Sequence, residues 1–372
     1  MRIPPVKIEF SEEDRAEILR RVDHCLMTGQ VAQGQNVQEF EQAFARYVGA
    51  KHAVAVSSGG GAIEMAMRLL DVSGKEVLVP TNTFVATATG VLLAGGRVRF
   101  VDADADTFGV SLAGVQAAAT PQTAGVIVVH IGGVITPAIE AIRQWCDQRG
   151  IWLFEDAAHA HGSCLGGMMA GRFGKAAAYS FFATKVITSG EGGMLITDDD
   201  TLAQRARGLR DYGKIDPWVS YHTEVGANWR MSEFCAAVGL VHLGRLEEFL
   251  SWREELAALY TAELRNVPGV MPIQPAGKSS WYKYIVLLPP SVDRERLRAA
   301  LKAKDVSLSG GVYDIPLHRQ PIFEGSGGEF PVADDICRRH ICLPIYFGMT
   351  TQEVRYVVAA LRSALAEEGK AP

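Results

Sequence analysis

Residues 154–193 read FEDAAHAHGSCLGGMMAGRFGKAAAYSFFATKVITSGEGG. Just ahead, Ile151-Trp152-Leu153 begins an apolar run that ends in two acids, Glu155 and Asp156. A second apolar run, Ala176 to Phe182, leads into Ala183-Thr184-Lys185-Val186-Ile187, and Gly190, Gly192 and Gly193 then break the pattern. A lysine set among Phe, Ala, Val and Ile is poorly placed for a solvated face. Withdrawal from water lowers its pKa, and a neutral amine is a nucleophile toward carbonyls. A carboxylate at the C-terminal end of a neighbouring strand could face it. A pyridoxal phosphate (PLP) site needs such a pair: a lysine for a Schiff base and an acid for the pyridinium nitrogen.

The flanking sequence repeats the strand-and-helix pattern. His52 to Val56 reads as a strand, Ser57-Ser58-Gly59-Gly60-Gly61-Ala62 as a turn, and Ile63, Met67 and Leu70 as the face of a helix. That arrangement aims backbone N–H groups and a helix N-terminus at an anion. A dinucleotide fingerprint starting at Gly59 would need glycine at position 64, which is Glu64. Further strands are expected at Glu76 to Val79, Val98 to Val101, Val126 to His130 and Met194 to Thr197, with a helix near Ala86 to Ala94. Short apolar strands alternating with amphipathic helices imply a mostly parallel sheet covered on both faces. Ligands of such sheets sit at the C-terminal ends of strands. Ser57 to Ala62, Phe84, His130, Asp156 and His159 all fall there.

Before the first strand, Ser11 and Asp14 are spaced as a capping box with Asp for the usual Glu, and a second helix covers Val37 to Tyr47. After the sheet, Leu240, Leu243, Leu246, Phe249 and Leu250 run into one long helix reaching Leu264. The expected fold is α/β: a large domain over 1–245 with a mostly parallel seven-stranded sheet, then a smaller α+β domain over 246–372. The latter has strand candidates at Tyr282 to Leu288, Val306 to Leu308 and Ile341 to Leu343, and a last helix capped by Thr350 and Glu353.

The chain has 372 residues, 48% hydrophobic and 21% charged, enough for two domains with a sizeable core. A net charge of −5 offers no general attraction to nucleic acid or anionic lipid. Any anionic ligand must be held by local groups. Six cysteines form no CxxC pair, and no apolar run is long enough for a bilayer, so a reduced, cytoplasmic protein without membrane partners is expected. His159, His161 and Cys164 suggest zinc only weakly: the third ligand lacks a compelling spacing and no fourth is evident, so no metal is expected.

Several blocks, in order and nearly end to end, carry a resemblance. They are TGQVAQGQNVQEFEQAFARYVGAKHAVAVSSG, VPTNTFVATATGVLLAG with FVDADADTFGV, EDAAHAHGS, YSFFATKVITSGEGGML, VGANWRMSEFCAAVGLVHLGRLEEF, IPLHRQPIF and LPIYFGMT. With these the chain resembles the DegT/DnrJ/EryC1/StrS sugar aminotransferases, which are fold-type I PLP enzymes. The resemblance implies that Lys185 holds PLP as a Schiff base and serves as acid and base. It implies that Asp156 pairs with the pyridine nitrogen, Phe84 stacks on the ring, and His159 faces the phenolic oxygen. Gly60, Gly61 and Ser180 would hold the phosphate, and Asn228 would reach it from the other subunit of a homodimer with shared active sites. Arg230 and His318 would be substrate contacts.

The resemblance further implies ping-pong transfer of an amino group from glutamate to a nucleotide-linked 3- or 4-keto-(deoxy)sugar. The setting would be amino-sugar biosynthesis, for an antibiotic or other secondary metabolite or for a surface polysaccharide. An aminocyclitol acceptor, a PLP-dependent sugar dehydratase and a non-catalytic regulatory protein are the alternatives. The dehydratases replace the Schiff-base lysine with histidine, and Lys185 argues against them. Two departures stand out. Gly59-Gly60-Gly61 replaces the family's Gly-Thr-Ala and loses a threonine hydroxyl. His159 replaces a glutamine, and its protonation is expected to make cofactor tuning more pH-dependent.

Overall fold

The computed structural model describes residues 2–216 and 219–368. Helix α1 (Glu12–Thr28) starts at the expected capping box: the Ser11 hydroxyl accepts the Asp14 N–H, and the Asp14 carboxylate accepts the Ser11 N–H. Helix α2 (Gln35–Val48) follows Gly34, which has no side chain to cap it. Its entry is held from far along the chain instead. The buried carboxylate of Glu233 accepts the N–H groups of Gly34 (2.7 Å), Asn36 (2.8 Å) and Val37 (3.1 Å).

The sheet layer then builds in alternation: β1 (His52–Val56), α3 (Gly59–Leu69), β2 (Glu76–Pro80), α4 (Val85–Leu93), β3 (Arg97–Val101), α5 (Leu112–Ala118), β4 (Thr123–Val129), α6 (Ile139–Arg149) and β5 (Trp152–Asp156). A small hairpin, β6 (Cys164–Leu165) and β7 (Met168–Met169), precedes β8 (Ala176–Ser180), β9 (Gly193–Thr197) and α7 (Asp200–Leu209). Strand order is β1-β9-β8-β5-β4-β2-β3, and only β9 runs against the others. Side chains alternate between the faces. Val77 and Val79 enter one hydrophobic core, and Leu78 enters the other. Both faces are therefore buried, which is why these strands read as continuous apolar runs.

The remaining elements are α8 (Glu233–Gly244), α9 (Leu246–Leu264), β10 (Met271–Pro272), β11 (Tyr284–Leu287), α10 (Arg294–Ala303), α11 (Pro331–Arg339), β12 (His340–Leu343) and α12 (Thr351–Glu368). Strands β10, β11 and β12 form an antiparallel sheet whose core is packed by α9, α10 and α12.

Two expectations change. The long helix through Leu240 is two helices, parted at Arg245 (φ −104°, ψ 2°), whose guanidinium is drawn to Asp14 (2.5 Å) and Glu248 (2.8 Å). Residues Val306 to Leu308 form no strand. Asp305 lies in the left-handed region (φ 58°), and Val306 makes an isolated bridge to Ile3, which packs in the C-terminal core. No helix among the described residues is long and apolar enough to cross a membrane.

Candidate active site

The C-terminal ends of β4, β5 and β8 and the N-terminal ends of α3 and α4 open onto one cavity of about 520 Å³. This is the crevice position where open α/β sheets bind ligands. Asp156 ends β5 with its side chain buried at the cavity wall. Its Oδ2 accepts the Thr87 hydroxyl at 2.7 Å, and its Oδ1 accepts the Ala158 N–H at 3.2 Å. Thr83 contacts the Thr87 hydroxyl at 3.0 Å, so a short polar chain from α4 fixes the carboxylate. Burial raises the Asp156 pKa, while those two donors, and then the nearby Lys185, oppose the rise. The acid therefore gains from any cation brought against it.

Lys185 lies in the turn after β8 and lines the same cavity. Burial lowers its pKa to about 8, with Asp156 pulling upward and Lys283 downward. Its Nζ stands 4.8 Å from the centre of the Tyr282 ring. Roughly a tenth of the amine is thus neutral at pH 7 and about half at pH 8, far more than for an unperturbed lysine, and the neutral form attacks a carbonyl.

At the other end of the cavity, Ser58 caps α3, its Oγ accepting the Gly61 N–H at 3.0 Å. The first-turn N–H groups of Gly59 and Gly60 are left without helical partners. Ser180 stands beside them. A Cβ on Gly59 would fall 2.7 Å from Ser180 Cβ, so only glycine admits this approach. Phe84, the residue before α4, also lines the cavity and keeps 60% of its surface exposed, free to cover a flat ligand.

These residues fit pyridoxal phosphate. A half-buried amine and a buried acid share one cavity, an aromatic face borders it, and a glycine cradle at a helix N-terminus offers donors for a phosphate. Lys185, Asp156, Gly60, Phe84, His159 and Ser180 are brought together. Gly61 is not among the lining residues, because its N–H is used by Ser58 and its Cα faces the Trp229 ring.

Three expected residues stand apart from the cavity. Both ring nitrogens of His318 are engaged, Nδ1 with the Thr81 hydroxyl (2.7 Å) and Nε2 with Asp334 (3.1 Å), and it does not line the cavity. Arg230 is paired with Asp211 and stacked at 5.2 Å on Tyr212. Asn228 is exposed, bridged to Asp211. His130 also turns away, its Nε2 held by the buried carboxylate of Glu155 at 2.8 Å. Glu155 accepts the N–H groups of Gly171, Phe173 and Gly174 as well.

The expected protonation of His159 is corrected too. Its Nδ1 accepts the Gly132 N–H at 3.3 Å, which leaves the proton on Nε2, and its ring stacks 4.3 Å from Tyr282. Burial, then Lys185, Lys283 and His161, hold its pKa well below the ordinary value, so it stays neutral. Nor does a zinc site form. His161 packs among Phe44, Tyr179 and Phe181, and no cluster of three metal-ligating residues exists among the described residues.

The sequence reading missed the far wall. Tyr282 and Lys283 ahead of β11, and Gly310, Gly311, Val312 and Tyr313, close the cavity from the C-terminal layer. The run Trp281-Tyr282-Lys283 was the available signal: a lysine between aromatics beside an apolar strand, the same oddity that marks Lys185. Thr87 was missed because a threonine in a helix carries no such mark.

Fold and site together define a PLP-dependent aminotransferase. Known proteins agree and narrow the class. The chain is 34% identical over 366 residues to the spore coat polysaccharide biosynthesis protein SpsC of Bacillus subtilis, covering 93% of this chain and 94% of that one. It is 32% identical over 372 residues to the dTDP-4-dehydro-2,3,6-trideoxy-D-glucose 4-aminotransferase of Saccharopolyspora spinosa, covering 94% of each. The crystal structure of S. venezuelae DesV superposes with a TM-score of 0.91 at 31% identity, over 97% of this chain and 98% of that one. The chain belongs to the DegT/DnrJ/EryC1/StrS aminotransferase family, whose model matches residues 12–362.

Proposed function

We propose that the chain moves an amino group from glutamate to the keto carbon of a nucleotide-linked 3- or 4-keto-(deoxy)sugar, in two half-reactions at one site. The observation that carries this reading is the half-buried, desolvated Lys185 amine and the buried Asp156 carboxylate facing one cavity with the glycine cradle of α3. Bound PLP would supply the electron sink that makes the donor's α-hydrogen acidic. The Lys185 amine would hold the cofactor and, once free, would take the proton from the donor's α-carbon. Asp156, oriented by Thr87, would keep the ring nitrogen protonated. The 2-oxo acid leaves before the keto-sugar enters, and the same residues act in reverse. A nucleotide-sugar acceptor is supported by the Saccharopolyspora relative, whose name specifies a dTDP-linked one.

Asn228 and Arg230 have no place at this chain's own cavity, and the reading gives them to a partner's. Exposed apolar side chains flank that segment, among them Ile215 (68%), Tyr221 (64%) and Val225 (82%), a surface suited to a second copy.

The test is the visible spectrum of PLP-loaded protein before and after L-glutamate, without acceptor. Loss of the Lys185-linked band with gain of the pyridoxamine band is expected. A band that forms and ignores glutamate overturns the donor assignment, and no band overturns the site.

A further inference from the structure

The cavity holds a second amine. Lys283 lies half-buried on its far wall, just ahead of β11, with its N–H bonded to the Gly132 carbonyl at 3.3 Å. Its ammonium has three donors. Among the described residues it makes one hydrogen bond, to the neutral hydroxyl of Ser309 at 3.0 Å, and no ion pair. Asp156, the acid buried in the wall, is engaged with Thr87 and Ala158. A cation drawn out of water without a counter-ion is costly and is retained where something else supplies the charge.

Its position says what it can reach. Lys185 and Lys283 stand 4.8 and 5.1 Å from the centre of the same Tyr282 ring, so the two amines lie no farther apart than the sum of those distances. A group held by Lys283 is therefore within one small molecule's length of the carbon that reacts at Lys185. The loop bearing Gly310 and Gly311 passes beside it with no side chains to block an approaching oxygen.

We propose that Lys283 is a substrate-binding residue that receives an anionic oxygen, a carboxylate of the amino donor or a phosphate of the acceptor, and so restricts the site to substrates carrying one. The inference rests on the aminotransferase reading above. Both substrate classes bear such groups, and a site that admits them in turn can use one cation for each.

The experiment measures anion binding to PLP-loaded wild type, Lys283→Met and Lys283→Arg by perturbation of the visible band. The probes are glutarate, a dicarboxylate without an amine, and pyrophosphate. At least one probe should bind wild type, bind Lys283→Met at least tenfold more weakly, and recover in Lys283→Arg. Glutarate responding alone assigns the donor carboxylate, and pyrophosphate alone the acceptor phosphate. If neither probe binds wild type, or if both bind Lys283→Met as tightly as wild type, the proposal is overturned. A band and a melting temperature matching wild type show that Lys283→Met is folded and loaded. The outcome is separable from the catalytic reading, because the wild-type response to L-glutamate is scored independently of both probes.

Discussion

Serine in place of Gly60 should tighten PLP binding. A Cβ at Gly60 would lie 3.5 Å from Ala86 Cβ and 4.0 Å from Ser58 Oγ, ordinary contacts that ask nothing of the backbone. The added hydroxyl stands at the mouth of the cradle, where a phosphate would meet the first turn of α3. A hydrogen bond to a charged group contributes about 1.5–3 kcal/mol. Ordering a short side chain opposes it by less than about 1 kcal/mol. The helix-propensity gain over glycine is common to apo and loaded forms and cancels. A net of about 1–2 kcal/mol remains, or roughly 5- to 30-fold in dissociation constant. The assay is titration of apoprotein with PLP, followed through the visible band. Gly59→Ser is the contrast: its Cβ would sit 2.7 Å from Ser180 Cβ, so Ser180 or α3 must move, and affinity should fall at least tenfold. Equal affinities for wild type and Gly60→Ser, or a tighter Gly59→Ser, would refute the placement of the phosphate.

Other perturbations probe the remaining parts. Lys185→Ala should show no steady-state turnover, and wild-type rates in that variant would sink the assignment. The Lys185 pKa is lowered to about 8 and the neutral amine is the attacking form, so PLP capture by apoprotein should accelerate as pH rises through about 8 and level off above it. A midpoint near the ordinary lysine value would show that the amine is not desolvated. Asp156→Asn should keep the fold and lower turnover by about 10²–10³-fold, the cost of removing one preorganised electrostatic group, as read from single-turnover rates. Glu155→Gln breaks the buried pair with His130 and faces three backbone N–H groups with an amide, so unfolding free energy should drop by roughly 3 kcal/mol in denaturant titration.

What could be read from the chain follows from range. Asp156 and Lys185 announce themselves locally, because a charge at the end of an apolar run is unusual whatever lies elsewhere. The sheet was legible for the same reason: strands buried on both faces leave short apolar runs between turns. The far wall was not. Lys283 reads as one residue of an apolar strand, because the groups that give it meaning, Ser309 and the cavity it shares with Lys185, are distant in the chain. The partners of His318, Thr81 and Asp334, were equally illegible, because both lie far from it in the chain or outside its motif. The break at Arg245 escaped periodicity because apolar spacing continues across it while the backbone answers to Asp14.

The carboxylate of Glu233 that holds the entry of α2 bears on how the molecule is made. Gly34 leaves the ribosome 199 residues before that carboxylate exists. At about 5–20 residues per second, α2 waits roughly 10–40 s for its anchor. Its buried face, including Phe40 and Phe44, has to be tolerated or shielded through that interval. Slowed translation between these points would lengthen the exposure. Glu233→Gln keeps one acceptor oxygen for these N–H groups and loses the other, so the anchor is weaker when it arrives, and the yield of native protein in the cell should suffer more than the stability of the molecules that do fold.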